Sequence, residues 1–276
     1  MPELPEVETV VRQLREKLPG RIVAEVRLSG LRLRKPVDAA LPEKLRGREV
    51  RGVSRRGKYI VIGLEPQSFL LIHLGMTGSA VFRDAGGGDG GGRHVHAVLR
   101  FADGAALEYR DPRRFGLLGF HEVASAEDIP EVAALGEEPL GRGFTGARLA
   151  AWLEGGKRDV KSFLLDQRLV AGLGNIYVCE ALFLAGIHPG RRCGQVRRDE
   201  ATALAAAVRR VLRAAIENRG TSFSDYRDAD GRRGGNQRFL KVFHREGEPC
   251  PRCGASIRRM RQGGRSSFFC PACQRR

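Results

Sequence analysis

The chain has no uncharged apolar run near the ~18 residues a membrane-crossing helix needs. Its first residues, MPELPEVETV, hold no basic segment followed by an apolar one. The first absence excludes a membrane span of that kind, and the second speaks against a secretory signal. A cytoplasmic protein with reduced, buried or metal-bound cysteines is the expectation. Acidic residues are in deficit, 32 Asp and Glu against 48 Lys and Arg, which leaves a formal charge of +16. That imbalance carries no fold information, but it favours a polyanionic partner, nucleic acid before an anionic membrane surface. The Gly-rich stretch Asp84 to Gly92 lacks a following GK[ST]. It therefore reads as a flexible hairpin or loop connection, not a phosphate-cradling loop.

What is present suits an ordinary globular chain: 276 residues, 42% apolar, 29% charged, enough for about two domains. Residues 4 to 18 space Val7, Val10, Val11, Leu14 and Leu18 for one helix face, with Pro5 in the first turn and Glu3, Glu6 and Glu8 suited to the helix start. From residue 20 to about 123, short apolar runs alternate with turns, the spacing of a β sandwich or barrel. A polar stretch near Ala134 to Gly146 reads as a linker, and helical periodicity follows, clearest over Asp199 to Glu217. Thr221 to Asn236 is polar and Gly-rich, hence a loop.

Cys250, Cys253, Cys270 and Cys273 form C-x2-C-x16-C-x2-C, in which two tight turns present four thiolates to one zinc ion. Ser256 to Met260 and Arg265 to Phe269 read as two strands joined near Gly263 and Gly264, as in a zinc ribbon. Four thiol ligands close the coordination shell, so the metal is structural. Two disulfides are the alternative, which a cytoplasmic location disfavours. Cys179 and Cys193 lie outside the pattern and read as small buried apolar residues or spare thiols. From Cys250 onward there are seven Arg and no Asp or Glu, so the finger is a basic, phosphate-gripping surface.

Five segments in register carry a family likeness: Pro2-Glu3-Leu4-Pro5-Glu6, His73-Leu74-Gly75-Met76-Thr77-Gly78, Asp111-Pro112-Arg113-Arg114-Phe115-Gly116, Gly172-Leu173-Gly174-Asn175-Ile176-Tyr177 and the four-cysteine finger. Together, from residue 2 to 273, they closely resemble the bacterial formamidopyrimidine-DNA glycosylases. The resemblance implies an α+β, multidomain fold. It comprises an N-terminal helix plus β sandwich (2–133), a linker (134–146), a helical helix-two-turn-helix DNA-binding domain (147–246) and a zinc finger (247–276). It also implies a monomeric, nucleoid-associated enzyme of base excision repair acting on double-stranded DNA with damaged bases. Such an enzyme removes oxidised purines and cuts the strand by β- and δ-elimination, with one structural zinc and no membrane.

The same resemblance assigns residues. Loss of the initiator Met would free Pro2, and a free α-amino group has a pKa near ~8, leaving an appreciable neutral, nucleophilic fraction. Glu3 would protonate the sugar ring oxygen or shuttle protons, and Glu6 would order the same site. Lys58 and Arg265 would contact phosphates around the lesion and assist elimination. Met76, Arg113 and Phe115 match residues that fill the hole left by a flipped nucleotide, a thioether and a ring as wedges and a guanidinium for the orphaned cytosine. His73, His94, Lys161 and Asn175 would touch phosphates. Plainer readings stand beside these: a frayed helix start for Pro2 and Glu3, dipole complementation for Glu6, a solvated charge for Lys58, core packing for Met76 and Phe115, structural roles for the histidines.

Two competitors remain open. An oxidised-pyrimidine glycosylase of the endonuclease VIII type commonly begins Pro-Glu-Gly-Pro-Glu, whereas Leu4 holds the third place here; a non-catalytic zinc-ribbon DNA-binding protein would leave Pro2 unexplained. The chain departs from the family at Thr221-Ser222-Phe223-Ser224, where a basic residue is frequent, and at Phe243-His244-Arg245, where Tyr-Gly-Arg is common. DNA affinity is expected to fall steeply as salt rises from ~50 to ~200 mM, measured by anisotropy titration; a flat response would contradict phosphate-dominated binding.

Overall fold

The computed structural model describes residues 2–87, 92–223 and 226–275. The chain divides into two compact units, Met1–Ala134 with Ile216–Gln237, and Leu135–Ala215 with Arg238–Arg276.

In the first unit, α1 (Leu4–Lys17) starts with Pro5 in its first turn, where a missing N–H costs nothing. Its apolar stripe, Val7, Val10, Val11, Leu14 and then Leu18, is fully buried, at about 1.5–3 kcal/mol for each such side chain. β1 (Val23–Leu28) and α2 (Leu41–Leu45) lead into β2 (Glu49–Arg56), β3 (Tyr59–Glu65), β4 (Ser68–His73), β5 (Ser79–Arg83), β6 (Val95–Phe101), β7 (Ala106–Arg110) and β8 (Leu117–His121), then a short α3 (Pro130–Ala133). Antiparallel pairing gives two four-stranded sheets, β2-β3-β4-β8 and β1-β6-β7-β5. Alternate residues such as Ile60 and Ile62 of β3, Ile72 of β4, Leu99 of β6 and Leu107 of β7 share one core with α1. This is the β sandwich that the spacing of short apolar runs predicts. Of the Gly-rich connection, residues 88–91 lie outside the described residues; before them, Gly87 N–H donates to Asp84 O at 3.0 Å.

The segment Ile216–Gln237 belongs to this first unit, although chain order assigns it to the helical part. From 218 to 235 its described residues are irregular, as their composition predicts, with 224 and 225 outside the described residues, yet side chains fasten it. Tyr226 Oη donates to Glu6 O at 3.1 Å, and Ala229 N–H donates to Gln13 Oε1 at 2.8 Å. Phe82 N–H donates to Ala229 O at 2.8 Å, and Lys17 pairs with Asp230 at 2.6 Å. Tyr226 and Ala229 join the sandwich core.

The second unit holds α4 (Gly146–Leu153), α5 (Val160–Leu165), α6 (Asn175–Ala185), most of α7 (Arg198–Glu217) and the hairpin β9 (Arg258–Gln262) and β10 (Arg265–Phe269). Thr145 and Asp159 cap α4 and α5 by accepting N–H bonds from Arg148 and Ser162. α6 is apolar on all sides and buried from Ile176 through Phe183, so it forms the centre of its unit. The stretch expected as a linker begins fastened to this unit. Gly136 and Glu137 donate to Gln167 O and Leu169 O, and Ala171 N–H donates to Glu137 O. A Cβ at Gly136 would stand 2.4 Å from Leu169 O, which explains the glycine. The second finger strand appears as predicted, and β9 lies two residues later at both ends than the expected Ser256 to Met260.

Glu180 of α6 anchors the chain entering the finger: Oε1 accepts from Val242 N–H and Phe243 N–H, both at 2.9 Å, and Oε2 from Lys241 N–H at 2.8 Å. Burial pushes its carboxyl up, and the three N–H donors pull it back. Glu180→Ala orphans these donors, and the expected cost is roughly 2–4 kcal/mol. Denaturant melts and the rate of zinc loss to a chelator should both register it, with Glu180→Gln milder.

Candidate active site and nucleic-acid interface

The start of α1 is a buried polar cluster in the first unit. Pro2 is buried, and Glu3 and Glu6 are 2% and 1% exposed. Glu6 Oε2 accepts Glu3 N–H at 2.8 Å, and Oε1 accepts Thr221 N–H at 2.6 Å. Gly220 precedes Thr221 with φ of 76°, and a Cβ there would meet Glu6 Oε1 at 2.8 Å. Glu6 therefore does more than complement a dipole. It fixes the backbone beside Pro2 and docks the returning segment.

Lys58 shares a two-residue turn with Gly57, whose φ of 56° suits a tight β2–β3 hairpin. It is 8% exposed, not a solvated charge. Arg55, two residues before the turn's glycine, donates to Glu8 Oε2 at 2.8 Å and to Gly57 O at 3.0 Å. The turn carrying Lys58 is thereby tied to the second turn of α1.

His73 ends β4 with Nδ1 accepting Gly75 N–H at 2.9 Å and its ring 4.8 Å from that of Tyr59. Burial first, then the charges of Arg34 and Lys58, push its pKa down to about 3. The ring is therefore neutral near pH 7, and with Nδ1 accepting, its proton is on Nε2. His94 is exposed with φ of 68°.

Met76 and Phe115 stand on neighbouring turns, 38% and 45% exposed, which removes core packing as their explanation. The Arg113 guanidinium lies 4.7 Å from the Phe115 ring centroid. The two turns pack backbone to backbone: a Cβ at Gly75 would be 2.5 Å from Gly116 N.

In the second unit, Lys161 is 1% exposed, and its Nζ donates to Ser267 Oγ at 2.6 Å and Ser266 O at 3.1 Å. This departs from the expected phosphate contact, because the ammonium is turned inward onto β10. Asn175 Nδ2 donates to the same Ser266 O at 2.9 Å. Arg265 is exposed at the start of β10, next to this clamped residue. The turn between α5 and α6 is shaped by Gln167, which donates to Leu165 O and Leu173 O and accepts Gly172 N–H. Sequence reasoning passes over Gln167, Thr77 and Asp111. An Asp before Pro at a strand end is a turn signal that points to the last.

The four finger sulfurs lie within 4.8 Å of one another, with Cys250 and Cys273 3.9 Å and Cys253 and Cys270 3.5 Å apart. A tetrahedron with metal–sulfur bonds of ~2.3 Å has edges of ~3.8 Å, so the thiols fit zinc, whereas a disulfide needs ~2.05 Å. Arg252 N–H and Cys273 N–H donate to Cys250 Sγ and Cys270 Sγ, both at 3.4 Å, which favours thiolate.

Comparison with known proteins agrees with this geometry. Three family models match in chain order: formamidopyrimidine-DNA glycosylase N-terminal domain over residues 1–118, the H2TH domain of the same enzymes over 135–227, and a zinc finger found in FPG and IleRS over 247–276. Curated formamidopyrimidine-DNA glycosylases of Cereibacter sphaeroides and Gluconobacter oxydans are 48% and 46% identical, each over the whole of both chains. Among solved structures, the MutM (Fpg) protein of Thermus thermophilus superposes with TM-score 0.87 at 40% identity, covering 99% of this chain and 98% of its own. A Lactococcus lactis Fpg variant bound to Fapy-dG DNA reaches 0.90 at 33% identity over the full length of both chains. The class is thus a DNA glycosylase of base excision repair that carries one structural zinc. The chain belongs to the formamidopyrimidine-DNA glycosylase family.

His73 predicts a pH effect. Its folded pKa lies below the ordinary 6.5, so the unfolded chain binds the proton more readily. Its contribution to stability is full above ~6.5 and is lost as pH falls towards the folded value. Between pH 7.5 and 5 the stability gap between wild type and His73→Asn should shrink by about 2 kcal/mol, read from paired denaturant melts. A constant gap would show that the folded ring takes up its proton as readily as the unfolded one.

Proposed function

We propose that this glycosylase removes oxidised purines, 8-oxoguanine and formamidopyrimidines, from duplex DNA through an imine on Pro2, and then cuts the strand by β- and δ-elimination. The observation that carries it is the buried cluster at the start of α1, where Pro2 adjoins two buried carboxylates and Glu6 holds the adjoining backbone. With Met1 removed, the Pro2 nitrogen bonds to C1′ as the bond to the base breaks and the base leaves with its electron pair and a proton. Glu3, kept from water, protonates the ring oxygen, and the sugar opens to an iminium. Loss of a C2′ proton then expels the 3′ phosphate, and a second elimination expels the 5′ phosphate. Lys58, Arg265, Asn175 and the His73 and His94 rings hold phosphates. Lys161, turned inward, serves by fixing β10. Met76, Arg113 and Phe115 occupy the gap left by the flipped nucleotide.

In this reading residues 2–133 carry the chemistry, 147–246 and 247–276 grip DNA, 134–146 joins them, and the protein acts as a monomer at the nucleoid in the cytoplasm. The Fapy-dG complex of the Lactococcus lactis relative supports the purine assignment. A second complex of that relative holds an oxidised pyrimidine, which keeps a pyrimidine activity as the alternative.

Borohydride trapping on duplexes with 8-oxoguanine opposite cytosine, or with an oxidised pyrimidine, followed by peptide mass spectrometry, tests both. The expected adduct is on Pro2 and forms mainly with the purine duplex; adduct mainly with the pyrimidine duplex reverses the assignment. Glu3→Gln should slow base excision by roughly 100-fold or more with an unchanged melting temperature. An unaltered excision rate would remove Glu3 from the chemistry.

A further inference from the structure

Asp111 follows β7 and is 0% exposed. Every contact its carboxylate makes is with a donor. Oδ1 accepts Thr77 Oγ1–H at 2.6 Å and faces Arg113 N–H at 3.3 Å; Oδ2 accepts Gly116 N–H at 2.8 Å, with the Tyr109 hydroxyl at 3.5 Å. Thr77 Oγ1, having donated its proton to Asp111, accepts Arg113 N–H at 3.2 Å. Tyr109 also donates to His73 O at 3.3 Å. The backbone of Asp111 is held as well, its N–H by His94 O at 2.9 Å and its C=O by His96 Nε2 at 2.9 Å.

We propose that Asp111 is a positioning residue for nucleotide extrusion. Its one carboxylate sets Met76, Arg113 and Phe115 in a single arrangement before DNA arrives. This rests on the reading of those three residues as the void-filling group. Arg113 and Phe115 sit on the loop that winds round Asp111, and Met76 adjoins Thr77, which the same carboxylate takes from the other turn. The carboxylate thus holds the backbone of its own loop at Arg113 and Gly116 and the side chain of Thr77 on the other turn. A carboxylate only accepts, which suits the Thr77 hydroxyl and Gly116 N–H with the shared protons of Arg113 N–H and Tyr109 alongside. An amide in its place would turn an N–H₂ towards donors and leave one turn or the other unheld. Asp111 itself is fully buried and reaches no ligand, so it acts only through the turns.

The proposal requires that losing the charge impairs removal of a base that must be unpaired, and spares chemistry at a site with no base to unpair. Single-turnover rates are measured for Asp111→Asn, Thr77→Val and Phe115→Ala on two duplexes, one with 8-oxoguanine opposite cytosine and one with a preformed abasic site. A 2-aminopurine beside the lesion reports wedge insertion by stopped flow. For Asp111→Asn the expected result is roughly 10-fold or greater slowing on the paired lesion, with abasic-site incision within about 3-fold of wild type and a lost insertion signal. Thr77→Val should follow the same pattern more weakly, and decides the matter if Asp111→Asn does not fold. Equal slowing on both duplexes would mean a merely structural role and overturn the proposal. If Phe115→Ala slows the paired lesion while Asp111→Asn and Thr77→Val do not, the wedge stands and the Asp111 proposal falls. If Phe115→Ala changes nothing, the wedge reading itself fails, and the proposal with it.

Discussion

The first residues of a chain ordinarily fray unless something ties them down. Glu6 is the group that prevents this. Its two oxygens take one N–H from Glu3 and one from Thr221, so the first residues of α1 and a segment more than two hundred residues later are fixed by a single side chain. Much else in the first unit follows from that bond. Gly220 has to be glycine to let the carboxylate in, and Tyr226 closes over the same turn by donating to Glu6 O. Gln13, Lys17 and Phe82 receive the rest of the segment.

Several buried carboxylates share one arrangement. The chain carries a formal +16, yet several of its buried ionisable groups are carboxylates that accept backbone N–H bonds: Glu6, Asp111, Glu180, and Asp228, which accepts from Asp230 and Arg232. Each organises a turn that composition alone leaves irregular. Desolvating a carboxylate is costly unless its lone pairs are satisfied, and convergent N–H donors do much of this, joined at Asp228 by the Arg219 guanidinium. Basic groups fall on both sides: Arg261 and Arg265 are exposed on the finger hairpin, while Lys58, Lys161 and Arg191 are buried.

The readily legible parts of the sequence are those where the physics is local. The stripe of α1, the 20-residue periodicity of α7, the short strands of the sandwich and the cysteine spacing all express themselves within a few residues, and they appear where the pattern puts them. The less legible parts depend on distant partners. Nothing near Lys161 says that its ammonium will meet Ser266 and Ser267, and nothing near His73 says that burial beside Arg34 and Lys58 will keep it neutral. Thr221 to Asn236 has a loop's composition, and its described residues up to Gly235 form a loop; that they pack against the sandwich core follows only from Glu6, Gln13 and Phe82. Asp111 lies inside a recognisable motif, but a motif names residues without saying which of them the others lean on.

The second unit repeats the logic with a carbonyl in place of a carboxylate. Ser266 O accepts from Lys161 of α5 and from Asn175 at the first position of α6. The two helices that flank the turn shaped by Gln167 are thus joined to the residue next to Arg265. A shift of the turn therefore pulls on β10, and a shift at Arg265 is felt at the turn. Zinc adds rigidity from the far end of the same strand, since Cys270 follows Phe269 directly. β10 is therefore held at both ends, by a metal at one and by a buried ammonium at the other. An exposed guanidinium at the end of a short strand gains its precision from these two buried attachments rather than from any contact of its own.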